Sequence, residues 1–258
     1  MILTTFDAKK EIEGIVAWIR EWFAANGPKA AAVIGLSGGK DSTIVANLLV
    51  RALGKERVVG VLMPNGVQAD IADSLEVAQS LDIKYYVVNI ADAVNGLKNT
   101  LTALDGFTAT KDMEINIPPR IRMTTLYAVA QAQPMGGRVV NTCNRSEDYI
   151  GYSTKYGDAA GDFSPCANYT VTEMRLLGAE LGIAARLVQK APSDGLSGMT
   201  DEEKIGFTYD ALDRYILTGE CEDEVLRAKI DRMHVLNLHK LKTIPTYMRG
   251  EVENYTPG

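Results

Sequence analysis

A chain of 258 residues is long enough for one large domain with a helical appendage, and its 46% apolar and 23% charged residues are typical of a globular protein. The formal net charge of -6 disfavours nucleic acid as a partner, and no apolar run approaches the ~20 residues that cross a bilayer. The three cysteines form no CxxC pair, so we expect neither disulfides nor a zinc ribbon. Since no secretory leader is recognisable, we expect a reducing, cytoplasmic compartment.

The predicted elements alternate between helices and strands. An amphipathic helix over residues 7–25 comes first and ends before Gly27. Strands are predicted at 30–36, 58–63, 85–90 and 138–142, and helices at 43–53, 69–81 and 121–133. Because these strands are apolar on both faces, we expect a doubly wound α/β fold, in which helices flank a parallel sheet. Further helices are predicted at 171–181, 208–217 and 222–234.

We interpret the chain as a single domain over residues 1–258. It comprises an N-terminal helix (1–27), a nucleotide-binding α/β core (28–170) and a helical C-terminal portion (171–258). Aromatic residues of the first helix are expected to pack in the core or at an interface, and His234 is expected to be structural.

The strongest motif directly follows the first predicted strand and opens a helix. It consists of Ser37, Gly38, Gly39, Lys40, Asp41 and Ser42. At the carboxyl end of a parallel strand, backbone N–H groups and a helix N-terminus favour anions, and glycines allow close approach. A carboxylate beside phosphates repels them unless a cation intervenes, so Asp41 indicates Mg²⁺. The alternative is a glycine turn in which Asp41 caps the helix.

Two arginines stand at the start of the helix predicted at 121–133. Arg120 and Arg122 are two positions apart, and guanidinium groups in such a pair suit a polyanionic ligand. The alternative is a basic helix start with solvated arginines.

Two polar segments follow the last predicted strand. In segment 141–147, Glu147 is expected beside Asp41 as a second magnesium ligand, because parallel strands end at the same edge of a sheet. Its alternative is an ordinary acidic residue at a helix start. Segment 151–165 crowds glycine, tyrosine, lysine and two aspartates together, a mixture that a surface turn does not explain.

The loop at 37–42 has neither the GxxxxGK[ST] spacing of a Walker A loop nor the GxGxxG spacing of a dinucleotide fold. It resembles the SGGxDS loop of the ATP pyrophosphatases, which holds the pyrophosphate that leaves when ATP donates AMP. Together with the later segments, residues 35–240 resemble ammonia-dependent NAD synthetase. The resemblance implies a Mg²⁺-dependent homodimer that amidates deamido-NAD (nicotinic acid adenine dinucleotide) with ammonia. ATP is the co-substrate, the intermediate is an acyl-adenylate, and AMP and pyrophosphate are released.

Carried over by position, the resemblance assigns residues to three sites. The ATP-binding residues are Gly35, Leu36, Ser37, Gly38, Gly39, Lys40, Asp41, Ser42, Gln68, Thr142 and Ser193. The deamido-NAD-binding residues are Asn116, Arg120, Lys155, Asp158, Asp162, His239 and Lys240. The metal ligands are Asp41 and Glu147. The expected catalytic residues are Asp41, Glu147, Arg120 and Asp158, and our hypothesis is that Asp158 accepts a proton from ammonium.

This chain departs from the family pattern at several positions. Val171 stands where a lysine that contacts ATP phosphate is usual, so this contact is either missing or supplied by another residue, for which Arg175 and Lys190 are the candidates. A Pro-Pro pair precedes Arg120, and Asn141 stands where glycine is common.

Other functions share the same phosphate loop. A tRNA sulfur-inserting enzyme would need a reactive cysteine such as Cys143 and a basic surface, whereas a buried, inert thiol is the simpler interpretation of Cys143. A non-catalytic nucleotide-binding protein would not need both Asp41 and Glu147. A glutamine-dependent synthetase would need a glutaminase domain, for which the stretch before the first strand is too short.

Overall fold

The computed structural model describes residues 6–68, 71–190 and 200–247. The strands are Ala31–Gly35 (β1), Val58–Leu62 (β2), Lys84–Val87 (β3) and Gly137–Val139 (β4). The first helices are Ala8–Asn26 (α1), Lys40–Leu53 (α2), Ile71–Ser80 (α3), Ala91–Thr102 (α4), Lys111–Gln131 (α5) and Arg145–Ile150 (α6). The later helices are Val171–Glu180 (α7), Ala185–Val188 (α8), Asp201–Ile205 (α9), Tyr209–Thr218 (α10) and Glu224–Leu241 (α11).

The four strands form a parallel sheet in the order β3-β2-β1-β4. Ala32 of β1 lies opposite Val58 of β2, and Val33 lies opposite Val139 of β4. The chain winds outward from β1 to β3 and then returns to the other side of β1, so its direction reverses between β1 and β4. In open parallel sheets, ligands bind outside the carboxyl ends of the strands at this reversal. The loops after β1 and β4 therefore mark the place for a site.

Helices cover both faces of the sheet, which confirms the predicted doubly wound fold. Ala32 and Ile34 of β1 pack in a core with α1, α2, α3 and α7, whereas Val33 packs with α4 and α5 on the opposite face. Strand β2 is buried along its whole length. Central parallel strands need apolar side chains in both directions because both faces are covered.

Helix α5 begins at Lys111, well before the predicted start at residue 121. It contains Pro118 and Pro119, which lack the N–H group of a helical hydrogen bond and normally end a helix. Thr110 caps its N-terminus by accepting a hydrogen bond from the Met113 amide at 3.2 Å. Pro118 is buried, and Ile117, Met123 and Leu126 of the same helix pack in one core with Val33 of the sheet, so packing and the cap outweigh the cost of the prolines.

Strand β4 ends at Val139, earlier than the predicted end at residue 142. Val140 forms an isolated bridge with Phe163, and the Asn141 amide donates to the Phe163 carbonyl at 2.9 Å. The chain therefore leaves the sheet early and enters the short helix α6. Neither α4 nor α6 is among the predicted elements.

Beyond residue 170 the described chain is helical, as predicted. Helices α7 and α10 lie close to their predicted bounds, and α11 continues past the predicted end at residue 234. A third core joins α6 to these helices through Ile150, Val171, Tyr209, Leu212 and Ile230. Among the described helices, none is both long and apolar enough to pass through a bilayer.

Candidate active site

The loop after β1 forms a tight turn in front of α2. Gly38 has a φ of +74°, and a Cβ atom there would lie 2.8 Å from Asp73 Cβ, so only glycine fits. Ser37 Oγ accepts a hydrogen bond from the Gly39 amide at 3.2 Å and lies 3.1 Å from Ser42 Oγ. Helix α2 starts immediately afterwards, so its positive end faces the crevice at the sheet edge. This turn is suited to hold phosphate.

Asp41 and Glu147 come together from neighbouring strand ends. Burial and the nearby Asp41 carboxylate raise the pKa of Glu147 to about 8. Lys40 Nζ lies 2.7 Å from Asp41 Oδ2. Burial lowers the pKa of Lys40, but the carboxylates of Asp41 and Glu147 outweigh this effect, so the pKa of Lys40 is raised overall. Asp41 Oδ1 is buried without a hydrogen-bond partner among the described residues. Lys40 therefore interacts with both Asp41 and Glu147, and one oxygen of the Asp41 carboxylate still lacks a hydrogen-bond partner among the described residues.

A hydrogen-bond network fixes the helix that carries Glu147. The Asn144 side chain caps α6 by accepting from the Glu147 amide at 3.1 Å. Ser146 Oγ donates to the buried Asp213 carboxylate at 2.5 Å. Asp213 also accepts from the amide of Thr172 at 2.7 Å and from its hydroxyl at 2.6 Å. Asp213 therefore ties α10 to the N-terminal ends of both α6 and α7.

Asn141 cross-links the segment that carries Asp158. Its Nδ2 donates to the Asp158 carbonyl at 2.8 Å and to the Ala160 carbonyl at 3.1 Å, and its Oδ1 accepts from the Cys143 amide at 2.9 Å. The Asp158 carboxylate accepts from the Thr154 amide at 2.9 Å, and burial raises its pKa. A glycine at position 141 could not make these bonds, so Asn141 stabilises this loop.

The two lysines predicted to contact the dinucleotide join segment 151–155 to the end of α11. Lys155 Nζ donates to the His239 carbonyl at 2.9 Å. Lys240 Nζ donates to the carbonyls of Gly151 at 2.7 Å and Ser153 at 2.9 Å. Both ammonium groups therefore donate to backbone carbonyls and tie these two elements together.

Helix α5 completes this group. Arg120 Nε donates to the Lys155 carbonyl at 3.2 Å, and Asn116 Oδ1 accepts from the Thr154 hydroxyl at 2.7 Å. With Asp158 bound to Thr154, all of the predicted dinucleotide residues except Asp162 lie on elements that are hydrogen-bonded to one another. These elements are α5, segment 151–158 and the end of α11.

The Asp162 side chain bonds to α5 and to the sheet rather than to segment 151–158 or α11. Its carboxylate accepts from the Val139 amide at 2.7 Å and from the Tyr127 hydroxyl at 3.1 Å, so it bonds to the edge strand β4 and to α5. Of the other predicted ATP residues, Thr142 follows β4 and is partly buried. Gln68 follows β2, and its carbonyl accepts from the Ile71 amide at 3.4 Å.

Gly35 is the last residue of β1, where a Cβ atom would lie 3.2 Å from Met63 Cε. The Leu36 amide donates to the Val61 carbonyl at 3.0 Å, which holds the start of the phosphate loop against β2. Ser193 lies outside the described residues.

Both candidates for replacing the family lysine lie near the phosphate loop. Val171 itself is fully buried in the third core. Lys190 Nζ donates at 2.7 Å to Asp73, the residue that packs against Gly38. Arg175 pairs with Asp210 at 3.0 Å, and its charge acts to lower the pKa of Lys40.

Arg122 is more buried than its predicted partner Arg120. Its Nε donates to the Met63 carbonyl at the end of β2 at 3.2 Å, and burial lowers its pKa while Asp158 opposes that change. Arg120 is exposed. The alternative of solvated arginines therefore fits Arg120 and does not fit Arg122.

Two residues near the acid pair lie in segment 201–213, within the stretch that resembles the family, but no role is predicted for either of them. The acidic run at 201–203 fits a solvated helix start as well as a loop near the site, and the structure buries Asp201 beside Glu147, where it accepts from the Tyr152 hydroxyl at 3.1 Å. Tyr209 is fully buried in the same neighbourhood. The Thr200 capping box signals α9, but only tertiary packing turns Asp201 inward.

Cys143 is buried, and this burial raises the pKa of its thiol well above the ordinary value. Its Sγ donates to the Asp158 carbonyl at 3.3 Å. A reactive cysteine needs a stabilised thiolate, so these surroundings disfavour the thiol chemistry of a sulfur-inserting enzyme. His234 stacks on Tyr149 and bonds to its carbonyl at 2.7 Å, which agrees with a structural histidine.

Comparison with solved structures places this fold among synthetases of pyridine nucleotides. NMN synthetase from Francisella tularensis superposes with a TM-score of 0.85 at 32% identity, over 94% of this chain and 99% of that one. The NH3-dependent NAD synthetase from Campylobacter jejuni superposes with a TM-score of 0.76 at 28% identity, over 95% of this chain and 100% of that one.

Sequence comparison gives the family. The chain is 39% identical to the NH(3)-dependent NAD(+) synthetase of Archaeoglobus fulgidus, over 92% of this chain and 96% of the relative. It is 38% identical to the protein of that name from Thermococcus sibiricus, over 96% and 94% of the two chains. The model of the family described as NAD synthase matches residues 11–250. The chain belongs to the NAD synthase family, as the phosphate loop and the segments after β4 predict.

Proposed function

We propose that this chain is an ammonia-dependent NAD synthetase, which amidates the nicotinate carboxylate of deamido-NAD at the expense of ATP. The products are NAD, AMP and pyrophosphate. The observation that carries this function is the meeting of Asp41 and Glu147 beside a glycine-rich phosphate turn. Membership of the NAD synthase family and the named relatives support the same reaction.

The acid pair fits a divalent cation. Asp41 Oδ1 is buried without a partner among the described residues, and burial together with the Asp41 carboxylate raises the pKa of Glu147, so a bound cation would stabilise both acids in their charged form. No three His, Cys, Asp or Glu side chains form a metal cluster within residues 6–68, 71–190 and 200–247. Mg²⁺ keeps several waters and commonly takes one or two carboxylates plus substrate phosphates, so two protein ligands suffice. Asp41 and Glu147 would hold it.

The first step forms the acyl-adenylate. The turn at 37–42 and the N-terminus of α2 bind the triphosphate and orient its α-phosphorus. A carboxylate oxygen of the substrate attacks that phosphorus, and the bond to the pyrophosphate breaks. When bound, Mg²⁺ neutralises the charge that develops on the leaving pyrophosphate.

The second step forms the amide. Ammonia attacks the activated carbonyl carbon, and AMP leaves with the oxygen that came from the carboxylate. Most ammonia is protonated at neutral pH, and Asp158 is suited to accept that proton because burial raises the pKa of its carboxyl. The Asn141 bonds to the Asp158 and Ala160 carbonyls hold this acceptor in place. Arg120, Lys155, His239 and Lys240 bind the rest of the dinucleotide.

A mononucleotide substrate is the second candidate. The structural neighbour from Francisella tularensis is described as an NMN synthetase, and it superposes with a TM-score of 0.85. Its chemistry at the nicotinate carboxylate would be the same, so the acid pair and phosphate turn do not separate the two substrates. The elements joined by Lys155 and Lys240 would contact the second nucleotide of a dinucleotide, which a mononucleotide lacks.

We further propose that the enzyme is a cytoplasmic homodimer. Large apolar side chains are exposed between α4 and α5 and at the start of α5, with Leu104 54% exposed and Ile115 48% exposed. A contiguous apolar patch would mark an interaction surface on a globular protein. Dimerisation would also bring a second chain close to Asn116. Sedimentation of the wild-type protein and of Leu104→Glu would test this assignment, and a monomeric wild-type protein would contradict it.

Incubation with ATP, Mg²⁺ and ¹⁵N-labelled ammonium tests the proposed reaction, with deamido-NAD and nicotinic acid mononucleotide compared as acceptors. We expect labelled NAD with equal amounts of AMP and pyrophosphate, and a higher kcat/KM for deamido-NAD. Preference for the mononucleotide would favour the second candidate. ADP in place of AMP would contradict both.

A further inference from the structure

Tyr209 is buried without a hydrogen-bond partner. It is the first residue of α10, its side chain is fully inaccessible, and its hydroxyl has no partner among the described residues. A buried polar group without a partner costs about 1–3 kcal/mol, so phenylalanine would serve better if packing were its only task. Such atoms in native proteins mark a site for water, an ion or a ligand.

Three half-buried tyrosines of this chain show the usual behaviour. Tyr215 donates to Asp231 at 2.7 Å, Tyr169 donates to Glu11 at 2.6 Å, and Tyr152 donates to Asp201 at 3.1 Å. Among the described tyrosines, Tyr209 is the only one whose hydroxyl is buried without a partner.

The position of Tyr209 is fixed by the elements that build the acid site. Its ring packs in the third core with Ile150, which lies one turn after Glu147 on α6. Its backbone amide donates to Glu202 Oε1 at 2.8 Å, which anchors the start of α10 to α9. After burial, the Glu147 and Asp201 carboxylates are the main causes that raise the pKa of Tyr209, and Asp41 contributes as well. The ring therefore lies next to the pair Asp41 and Glu147.

Buried polar atoms without a partner occur on several elements around this site. They include Asp41 Oδ1, Ser74 Oγ beside the phosphate turn, Asn144 Nδ2 at the start of α6, and Ser153 Oγ in the segment that carries Asp158. Each of these atoms retains hydrogen-bonding capacity that water, an ion or a ligand can satisfy. The Tyr209 hydroxyl belongs to the same set and can donate to an oxygen ligand.

We propose that the Tyr209 hydroxyl is a ligand-binding group, which donates a hydrogen bond to an oxygen of the cation–triphosphate complex held by Asp41 and Glu147. The acceptor is a phosphate oxygen or a water bound to the cation, and both present a charge-polarised oxygen to the phenol. This inference rests on the proposed function, because it requires a cation at the acid pair.

The test compares Tyr209→Phe with Tyr215→Phe, which removes a hydroxyl that does have a partner. Mn²⁺ binding is followed by electron paramagnetic resonance at 25 °C, alone and with α,β-methylene ATP, whose α–β bond is not cleaved. Thermal unfolding of the ligand-free proteins is measured in parallel. Tyr209→Phe should unfold at the wild-type temperature or above, and should bind the cation–nucleotide complex about tenfold more weakly. Tyr215→Phe should show the opposite pattern, with lower stability and unchanged binding.

Glu147→Gln provides the reference for the proposed function. If Glu147→Gln weakens Mn²⁺ binding and Tyr209→Phe binds like wild type, the inference about Tyr209 is wrong and the metal assignment stands. If Glu147→Gln also binds like wild type, the metal assignment itself fails. Weaker binding by Tyr209→Phe only with nucleotide assigns the hydroxyl to a phosphate oxygen, and weaker binding in both conditions assigns it to cation-bound water.

Discussion

Replacement of Gly38 by alanine tests the tight packing of the phosphate turn. Gly38 and Gly182 have nearly the same backbone angle, with φ values of +74° and +75°. A Cβ atom at Gly38 would lie 2.8 Å from Asp73 Cβ and 2.9 Å from the Ser74 amide nitrogen, whereas nothing lies within 4 Å of one at Gly182. Gly182→Ala therefore shares the backbone penalty of Gly38→Ala and lacks the clash.

The expected difference follows from these contacts. A left-handed conformation costs an L-residue about 1–2 kcal/mol, and this cost applies to both variants. Overpacking against a close-packed backbone adds about 1–3 kcal/mol, and this cost applies to Gly38→Ala alone. For a chain of this size, each kcal/mol lowers the unfolding temperature by about 2–4 °C. Relief of the clash must also displace the turn from α3, so ATP binding should weaken at least tenfold.

Thermal unfolding and titration with ATP and Mg²⁺ measure the two effects separately. We expect Gly182→Ala to be mildly destabilised with wild-type affinity for ATP, and Gly38→Ala to lose more stability and most of its affinity. Equal stability in the two variants, together with unchanged ATP affinity, would refute the argument that this turn is a packed phosphate site.

Two further predictions concern buried and half-buried acids. Asp213→Asn replaces a carboxylate that accepts three hydrogen bonds, so the unfolding free energy should fall by about 1.5–3 kcal/mol, and kcat should fall about tenfold because α6 carries Glu147. Asp231→Asn breaks one bond to the Tyr215 hydroxyl and leaves the three Asp213 bonds in place, so it serves as the control and should keep wild-type kcat; equal kcat in both variants would contradict the positioning argument. The hydrogen bond from Lys190 lowers the pKa of Asp73, so their ion pair stabilises the fold above pH 3.8 and the stabilisation is lost as the pH falls through the folded-state pKa. Asp73→Asn should therefore lower the unfolding temperature at neutral pH and approach wild type as the pH falls below 3.8, whereas a constant difference from neutral to acidic pH would contradict the ion-pair account.

The sheet and its phosphate turn were predictable because local pattern and tertiary environment agree there. Strands β1 and β2 are apolar in both directions, as parallel strands with two covered faces must be. The turn at 37–42 needs glycine for its backbone conformation and an acid for its proposed chemistry, so both structure and function restrict which residues can stand there. The position of Glu147 after β4 follows from parallel topology, which brings strand ends to one edge.

Other features depend on packing that the sequence pattern does not carry. Helix α5 runs through Pro118 and Pro119 because burial of its face against the sheet outweighs the lost hydrogen bonds. The acidic run at 201–203 fits a solvated helix start, but the Asp201 side chain is buried. Tyr209 has the local signature of any aromatic residue at a helix start. The proposed role of its hydroxyl follows only from its position near Asp41, Glu147 and Asp201, which lie on three different helices.

Transfer of an isotopic label tests most directly whether the chain activates a carboxylate by adenylation. Deamido-NAD with ¹⁸O in its nicotinate carboxylate is incubated with ATP, Mg²⁺ and ammonium, and the AMP is analysed by mass spectrometry. Attack of the carboxylate on the α-phosphorus followed by amide formation predicts AMP that carries one ¹⁸O atom. Unlabelled AMP, or label found in inorganic phosphate alongside ADP, would contradict the proposed reaction.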